Sequence, residues 1–599
     1  MPKPITYCLA MPKPENHLFE VSCHIESPEA DGQKFALPAW IPGSYMIRDF
    51  AKQVLKLSAQ GPEGELQMTQ LDKQSWQCDK SPGPITIRYA VYATDLAPRG
   101  AHLDSTHGFF NGARVFMRIL EQEQKPCILK ISPPQAARYK NWQVATTMPI
   151  QEVQPAGFGS YRVENYDALI DYPFEIGKFK KLSFEACGIP HDIFLSGRLH
   201  SETDTDRIIR DAKAITEHHL QFFSKPAPFQ SYGFLVMVLG EGYGGLEHRN
   251  STALHCSRDS LPRKSDEEVR EAYRTFLGLI SHEYFHSWLI KRIKPEAFVP
   301  YNLAVENYTR QLWIFEGITS YYDELALVRS GVIQQDAYFE MISENLCRYL
   351  STPGRWVQTL ETSSLEAWSK FYKPDENSPN LTISYYLKGA LVAWLLDLTL
   401  RQKTQGQYSL DTMMEAIWTR FGKTGLGLPE GAFENITQEI TGLDLSEFFE
   451  HSLRTTRELP FEEILTDFGI DYQCVTEKSD KKTQTVVKSN LGVKLKTLGN
   501  EAQIAYIYAD TAAEAAGLAA GDTIIAIEGL KTDKLRLESM IAEYPVGTAV
   551  LLHVFRRDEL LTFTAILKEK VKAICLLKCR DDASVDEKNK LKSWLQIKS

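Results

Sequence analysis

In the run Ser281-His282-Glu283-Tyr284-Phe285-His286-Ser287-Trp288, two histidines stand four positions apart, with a glutamate directly after the first. On a helix that spacing puts both imidazoles on one face, where they can hold a zinc ion. It also sets a carboxylate beside them that can take a proton from an activated water. The flanks predict the helix: Ser265 to Glu268 reads as a capping box, Val269 to Ile293 carry apolar residues at helical spacing, and Pro295 follows. The motif is therefore expected deep inside a long helix.

Zinc needs a third protein ligand and an open position. A metzincin would supply Gly at 289 and His at 292, but these are Leu289 and Arg292. The other common solution is a carboxylate from a second helix. The candidate is Glu316, in a run of helical composition from Arg310 to Arg329 that stops near Gly331. Asp323, seven residues further on, could accept a hydrogen bond from a ligating imidazole and fix its tautomer, or could be a solvated acid near a helix end. The expected cofactor is one Zn2+ per chain.

The phrases His282-Glu283-Tyr284-Phe285-His286-Ser287-Trp288 and Trp313-Ile314-Phe315-Glu316-Gly317-Ile318-Thr319-Ser320-Tyr321 resemble the gluzincin aminopeptidases of the aminopeptidase N superfamily, and more closely its relative, the glycyl aminopeptidase family. The spacing usual in aminopeptidase N would put the ligand at Val305, with Glu306 next to it. Only Glu316 keeps the expected E-G-x-x-x-Y neighbourhood, so the resemblance favours it. The same resemblance gives roles to two further segments. Gly244-Gly245-Leu246-Glu247 matches a motif that lies along the substrate, with Glu247 receiving the free amino terminus. Ser384-Tyr385-Tyr386-Leu387-Lys388-Gly389 matches the segment carrying a catalytic tyrosine, which selects Tyr386, with Tyr385 as the alternative. Glu283 becomes the catalytic base. Ala39 to Asp49, with Pro42-Gly43 at its centre, also looks like this family's amino-terminal domain.

Around these residues the sequence must build elements that hold them. A chain of 599 residues exceeds one core. With 43% hydrophobic and 24% charged residues it reads as globular, and a net charge of -10 without a basic block gives no sign of nucleic-acid or acidic-membrane partners. No apolar run is long enough for a membrane span, the start lacks a signal-like apolar core, and the ten cysteines are scattered, so a reducing cytoplasm is expected. Phe19, Val21, Cys23 and Ile25 alternate with polar neighbours, as do Ile85, Ile87, Tyr89 and Val91, which predicts a β-rich first part. From about Asp204 the pattern turns helical.

Near the carboxyl terminus, after the polar linker Glu477 to Lys482, Asn490-Leu491-Gly492-Val493 and the later Ala516-Gly517-Leu518-Ala519-Ala520-Gly521-Asp522-Thr523-Ile524 resemble a PDZ domain. The backbone N–H groups of Leu491, Gly492 and Val493 could hold a peptide carboxylate, or the domain could only pack on its neighbour. The expected fold class is multidomain α+β. It comprises an N-terminal β-rich domain (1–167), a mostly helical thermolysin-like catalytic domain (168–465), a PDZ domain (466–572) and a tail (573–599). The expected activity is a zinc aminopeptidase acting on peptides with a free amino terminus, small residues such as Gly or Ala being favoured by the resemblance. A zinc endopeptidase or oligopeptidase, and a non-catalytic PDZ scaffold, are the competing readings.

Overall fold

The computed structural model describes residues 3–223, 226–476, 489–497, 499–569 and 573–596; the linker Glu477 to Lys482, and Lys572 at the tail boundary, lie outside them. The chain forms two compact units, the first from Met1–Tyr308, Tyr322–Ile333 and Met413–Glu430, the second from Thr309–Tyr321, Gln334–Thr412 and Gly431–Ser599.

The first unit begins with an eight-stranded sheet. Strands Leu18–Ile25 and Ile85–Tyr92 pair antiparallel with Phe19 opposite Val91, Val21 opposite Tyr89 and Cys23 opposite Ile87. The alternation seen in the sequence thus becomes one buried face, as a period of two requires. A later five-stranded sheet runs in the order Phe179–Ala186, Ile189–Ser196, Tyr232–Leu239, Ser251–Ser257, Tyr243–Glu247. Tyr232–Leu239 lies between two parallel neighbours and is buried almost throughout, which explains its unbroken apolar run. Tyr243–Glu247 is an edge strand, antiparallel to Ser251–Ser257.

Helices Thr205–Phe222 and Glu271–Phe285 pack against each other and against this sheet. The second carries the histidine pair and is shorter than its periodicity predicts. Its N-cap is Arg270, without a side-chain cap; the expected capping box Ser265 to Glu268 lies ahead of the helix, where Asp266 closes a turn by accepting from the Arg263 amide and from Arg270 Nε. Nor is the motif deep in the helix: His286 is its C-cap. The chain then reverses through Ile290, held at φ +75° by its N–H donating to the Ile293 carbonyl at 2.8 Å. For a β-branched residue that conformation is strained, and full burial of Leu289, Ile290 and Ile293 holds it in place. The pair His218-His219, in a run of helical pattern, reads from the sequence as surface or boundary histidines, but His219 is buried and bonded through Nε2 to Ser281 Oγ at 2.8 Å.

The second unit is helical around Gln335–Leu350 and Leu387–Lys403. A hairpin-like pair, Ile470–Thr476 with Ala573–Cys579, closes a smaller β assembly made of Val493–Leu495, Ala502–Ile507, Thr523–Ile527, Ala549–Arg556 and Glu559–Ile566. Its core includes Leu491, Ile504, Ile524, Leu552 and Val554. The last helix, Val585–Leu595, starts at a Ser584/Glu587 capping box and buries Trp594, whose Nε1–H donates to Tyr321 Oη at 2.8 Å. Among the described residues no helix is long and apolar enough to cross a membrane.

Candidate metal centre

The helical spacing of His282 and His286 brings their Nε2 atoms to 3.1 Å, with the rings nearly perpendicular. Each ring is oriented from behind. His282 Nδ1 lies 2.8 Å from Asp323 Oδ2, and His286 Nδ1 lies 3.1 Å from the carbonyl oxygen of Leu289. A carbonyl only accepts, so His286 carries its proton on Nδ1, and the carboxylate fixes the same tautomer in His282. Both Nε2 lone pairs then face one another in a largely buried space. Two lone pairs at that distance repel, and a cation bound by both removes the repulsion. Imidazole nitrogens backed by a carboxylate and a carbonyl are the donor set that suits zinc. Burial pushes the Asp323 carboxyl up, against the lowering effect of His282.

Glu283 and Glu247 lie close to this histidine pair. Both are buried, and a carboxylate oxygen of each lies within 4.8 Å of the other and of a His286 ring nitrogen. Two glycines make room for them. A Cβ on Gly245 would stand 2.1 Å from Glu283 Oε1, and one on Gly43, where φ is +91°, would stand 2.4 Å from Glu247 Oε1. Gly245 and Glu247 point to the same face of the edge strand Tyr243–Glu247, while Gly244 adopts φ +146°. The turn at Pro42-Gly43 thus abuts the Glu247 carboxylate, a placement that composition does not reveal.

In the second unit Glu316 is buried on a π-helical turn, Trp313–Ile318, that leads into the helix Thr319–Arg329. Gly317 meets the helix Leu387–Lys403 at Gly389: a Cβ on Gly317 would lie 2.5 Å from the Gly389 Cα and 2.9 Å from the Tyr385 carbonyl oxygen. The glycines after Glu316 and Lys388 are therefore what lets the two helices touch. That contact sets Tyr385 beside Glu316; burial, then Tyr372 and Glu316, push its phenol well above the usual range. Tyr385 has no exposed surface, whereas Tyr386, its ring 4.7 Å away, is half-buried. Lys388 is fully enclosed, and burial pushes its ammonium down to about 8.

Of the other residues singled out, Glu306 lies in an irregular segment outside any helix. Gly492, at φ +82°, donates its N–H to Asn490 Oδ1 at 2.9 Å, and the Leu491 carbonyl accepts from Ala513, so part of the Leu491–Val493 loop's hydrogen bonding is spent internally. The Leu289 carbonyl and Gly43 escaped sequence reasoning. Each acts through backbone, and only Gly43, next to a proline in a dense aromatic segment, left a signal.

The sequence profile of the Peptidase M61 N-terminal domain matches residues 6–178, and that of the M61 glycyl aminopeptidase matches residues 275–392. No curated protein matches. Among solved structures, an aminopeptidase N family protein from Idiomarina loihiensis is 41% identical, with a TM-score of 0.92 over 99% of this chain and 100% of that one. An M1 zinc metallopeptidase from Deinococcus radiodurans is 14% identical with a TM-score of 0.46, over 76% of this chain and 94% of that one, too distant to transfer function. A likeness that spans both chains end to end, together with the two profile matches, makes this protein a metallopeptidase that belongs to the M61 glycyl aminopeptidase family.

Proposed function

We propose that the protein is a zinc-dependent aminopeptidase that removes the first residue of a peptide, with one Zn2+ per chain held by His282, His286 and Glu316. The observation that carries the metal is the pair of Nε2 lone pairs facing at 3.1 Å while both Nδ1–H groups are engaged. Glu316 is supported as third ligand by its place seven residues before Asp323 on one unbroken helical run, Asp323 being the acid behind His282. A bound zinc ion supplies Lewis-acid polarisation of a water and of the scissile carbonyl.

The chain's own residues do the rest. Glu283 takes the proton of the attacking water and returns it to the leaving amine. Tyr386 donates a hydrogen bond to the developing oxyanion, a contact worth about 2.7–4 kcal/mol of transition-state stabilisation in comparable sites. Tyr385, fully enclosed, is the alternative donor. Glu247 receives the substrate's ammonium, and two buried carboxylates at close range make a negative well for it. Gly244 and Gly245 leave the edge strand bare enough for a peptide backbone to pair along it. The backbone of Gly43 against Glu247 favours a short first side chain such as Gly or Ala.

We keep the division at 1–167, 168–465, 466–572 and 573–599, with 466–572 as a PDZ domain. Engagement of the Gly492 amide by Asn490, and Asn380 bonded to both Ile507 and Ala509, favour packing over capture of a peptide carboxylate. Ten free thiols suit a reducing cytoplasm. The test is a panel of peptides varied at the first residue, free or acetylated, with and without chelator, on the native enzyme and on Glu283→Gln. Turnover of free-amine peptides alone, lost on chelation and in a zinc-loaded Glu283→Gln, is expected; equal cleavage of acetylated peptides sinks the exopeptidase reading.

A further inference from the structure

Behind the Glu247 strand the first unit has a small, partly open cavity, walled by the carboxylates Asp167 and Asp171 together with His248, Arg249, Lys291 and Lys294. Its free centre of about 10 Å³ has room for one water or one ion of similar radius, and not for a side chain. Charge around it does not balance. Lys291 Nζ lies 2.5 Å from Asp171 Oδ1 and Arg249 pairs with Asp167, so two cations are matched by two carboxylates. Lys294 is the third cation. Its ammonium stands 4.4 Å from the centre of the Tyr301 ring and has no ion-pair partner among the described residues. Burial pushes that ammonium down to about 8; Asp167 and Asp171 act against the shift, and the neighbouring Arg249 and Lys291 add to it.

His248 is a second, independent sign. It is 2% exposed, and neither ring nitrogen has a partner at ordinary hydrogen-bond distance; Asp171 is 3.8 Å from Nδ1, where, against burial, Lys291 and then His248 help hold its carboxyl well below the usual range. A buried N–H without an acceptor beside an unmatched ammonium describes a site for one negative charge.

We infer that this cavity is a binding site for a single monatomic anion of the halide class, held by Lys294 and His248. The ion supplies the missing charge and accepts the His248 N–H. One wall of the cavity is Pro42 and the next residue, Gly43, abuts Glu247, while His248 directly follows Glu247 in the chain. Occupancy therefore steadies the Glu247 carboxylate from both sides. That consequence rests on the aminopeptidase reading; the site itself does not.

Crystals of the native protein and of Lys294→Gln, grown with bromide in place of chloride, test it by anomalous diffraction. A bromine peak in the cavity of the native protein that is absent from Lys294→Gln is expected. A neutral water there, or an equal peak in the variant, overturns the site. The diffraction experiment reads binding without catalysis, so it separates failure of the site from failure of the peptidase reading. The kinetic arm replaces chloride by gluconate at constant ionic strength, where KM for a free-amine peptide should rise about fivefold or more with kcat less affected. An unchanged KM overturns the link to Glu247.

Discussion

His282 does not choose its tautomer alone: Asp323 accepts its Nδ1–H at 2.8 Å, which leaves the ring's lone pair on Nε2. Asp323→Asn keeps the shape but can present an amide N–H to the ring, and removes the charge that strengthens the imidazole as a donor. Acids behind ligating histidines typically contribute about 10–100-fold in metal affinity. Chelator-competition titration of Asp323→Asn should show a loss in that range with the fold intact by circular dichroism; unchanged affinity would make Asp323 a bystander. The pair His282/His286 was legible because four-residue spacing is a local property of a helix. The Leu289 carbonyl behind His286 was not, since it depends on the chain reversing at Ile290, where a β-branched residue is held against its preference by burial.

At the scale of elements, period and composition reveal that a helix exists and say less about where it stops. The expected helix from Val269 to Ile293 is Glu271–Phe285, because the chain reverses after His286 through turns that bridge Leu289 to Ile293. That ending puts His286 at the helix terminus, where its ring can reach a main-chain acceptor. The glycines of the Glu316-Gly317 and Lys388-Gly389 pairs look in the sequence like markers of a family pattern, but in space they are the contact between two helices. Gly317→Ala would press a methyl to 2.5 Å from the Gly389 Cα, backbone against backbone, with no flexible side chain to yield. Overpacking of this kind costs about 1–3 kcal/mol. Urea unfolding should show that loss, together with a fall in kcat because Glu316 and the Tyr385-Tyr386 pair ride on the displaced helices. A variant as stable and as active as the native protein would mean the helices can separate freely.

Across the whole molecule, the alternating strands of the amino-terminal part were readable because each residue's face is set by its parity, and Phe19, Val21, Cys23 and Ile25 go where parity sends them. What local pattern could not show is how distant segments combine: the final helix, which reads as a charged tail, anchors Trp594 on Tyr321, and Tyr321 in turn donates to the buried Asp397. Nor does composition expose Glu175, an acid in the fully buried strand Pro173–Gly177, opposite Phe109. Burial pushes its carboxyl up to about 8, and the Asp104 charge adds to the effect. In the unfolded chain the same group ionises near the ordinary carboxylate value. Between those two points the folded state binds more protons, so stability is fully present at acid pH and falls as pH rises through about 8. The loss attributable to this one group is on the order of 5 kcal/mol. Glu175→Gln removes the ionisation while keeping the shape, so its unfolding midpoint should change little at pH near 5 and exceed that of the native protein above pH 8. Parallel stability–pH curves for the two proteins would show that Glu175 is charged in the native fold, and that an unrecognised partner, not burial, governs its proton.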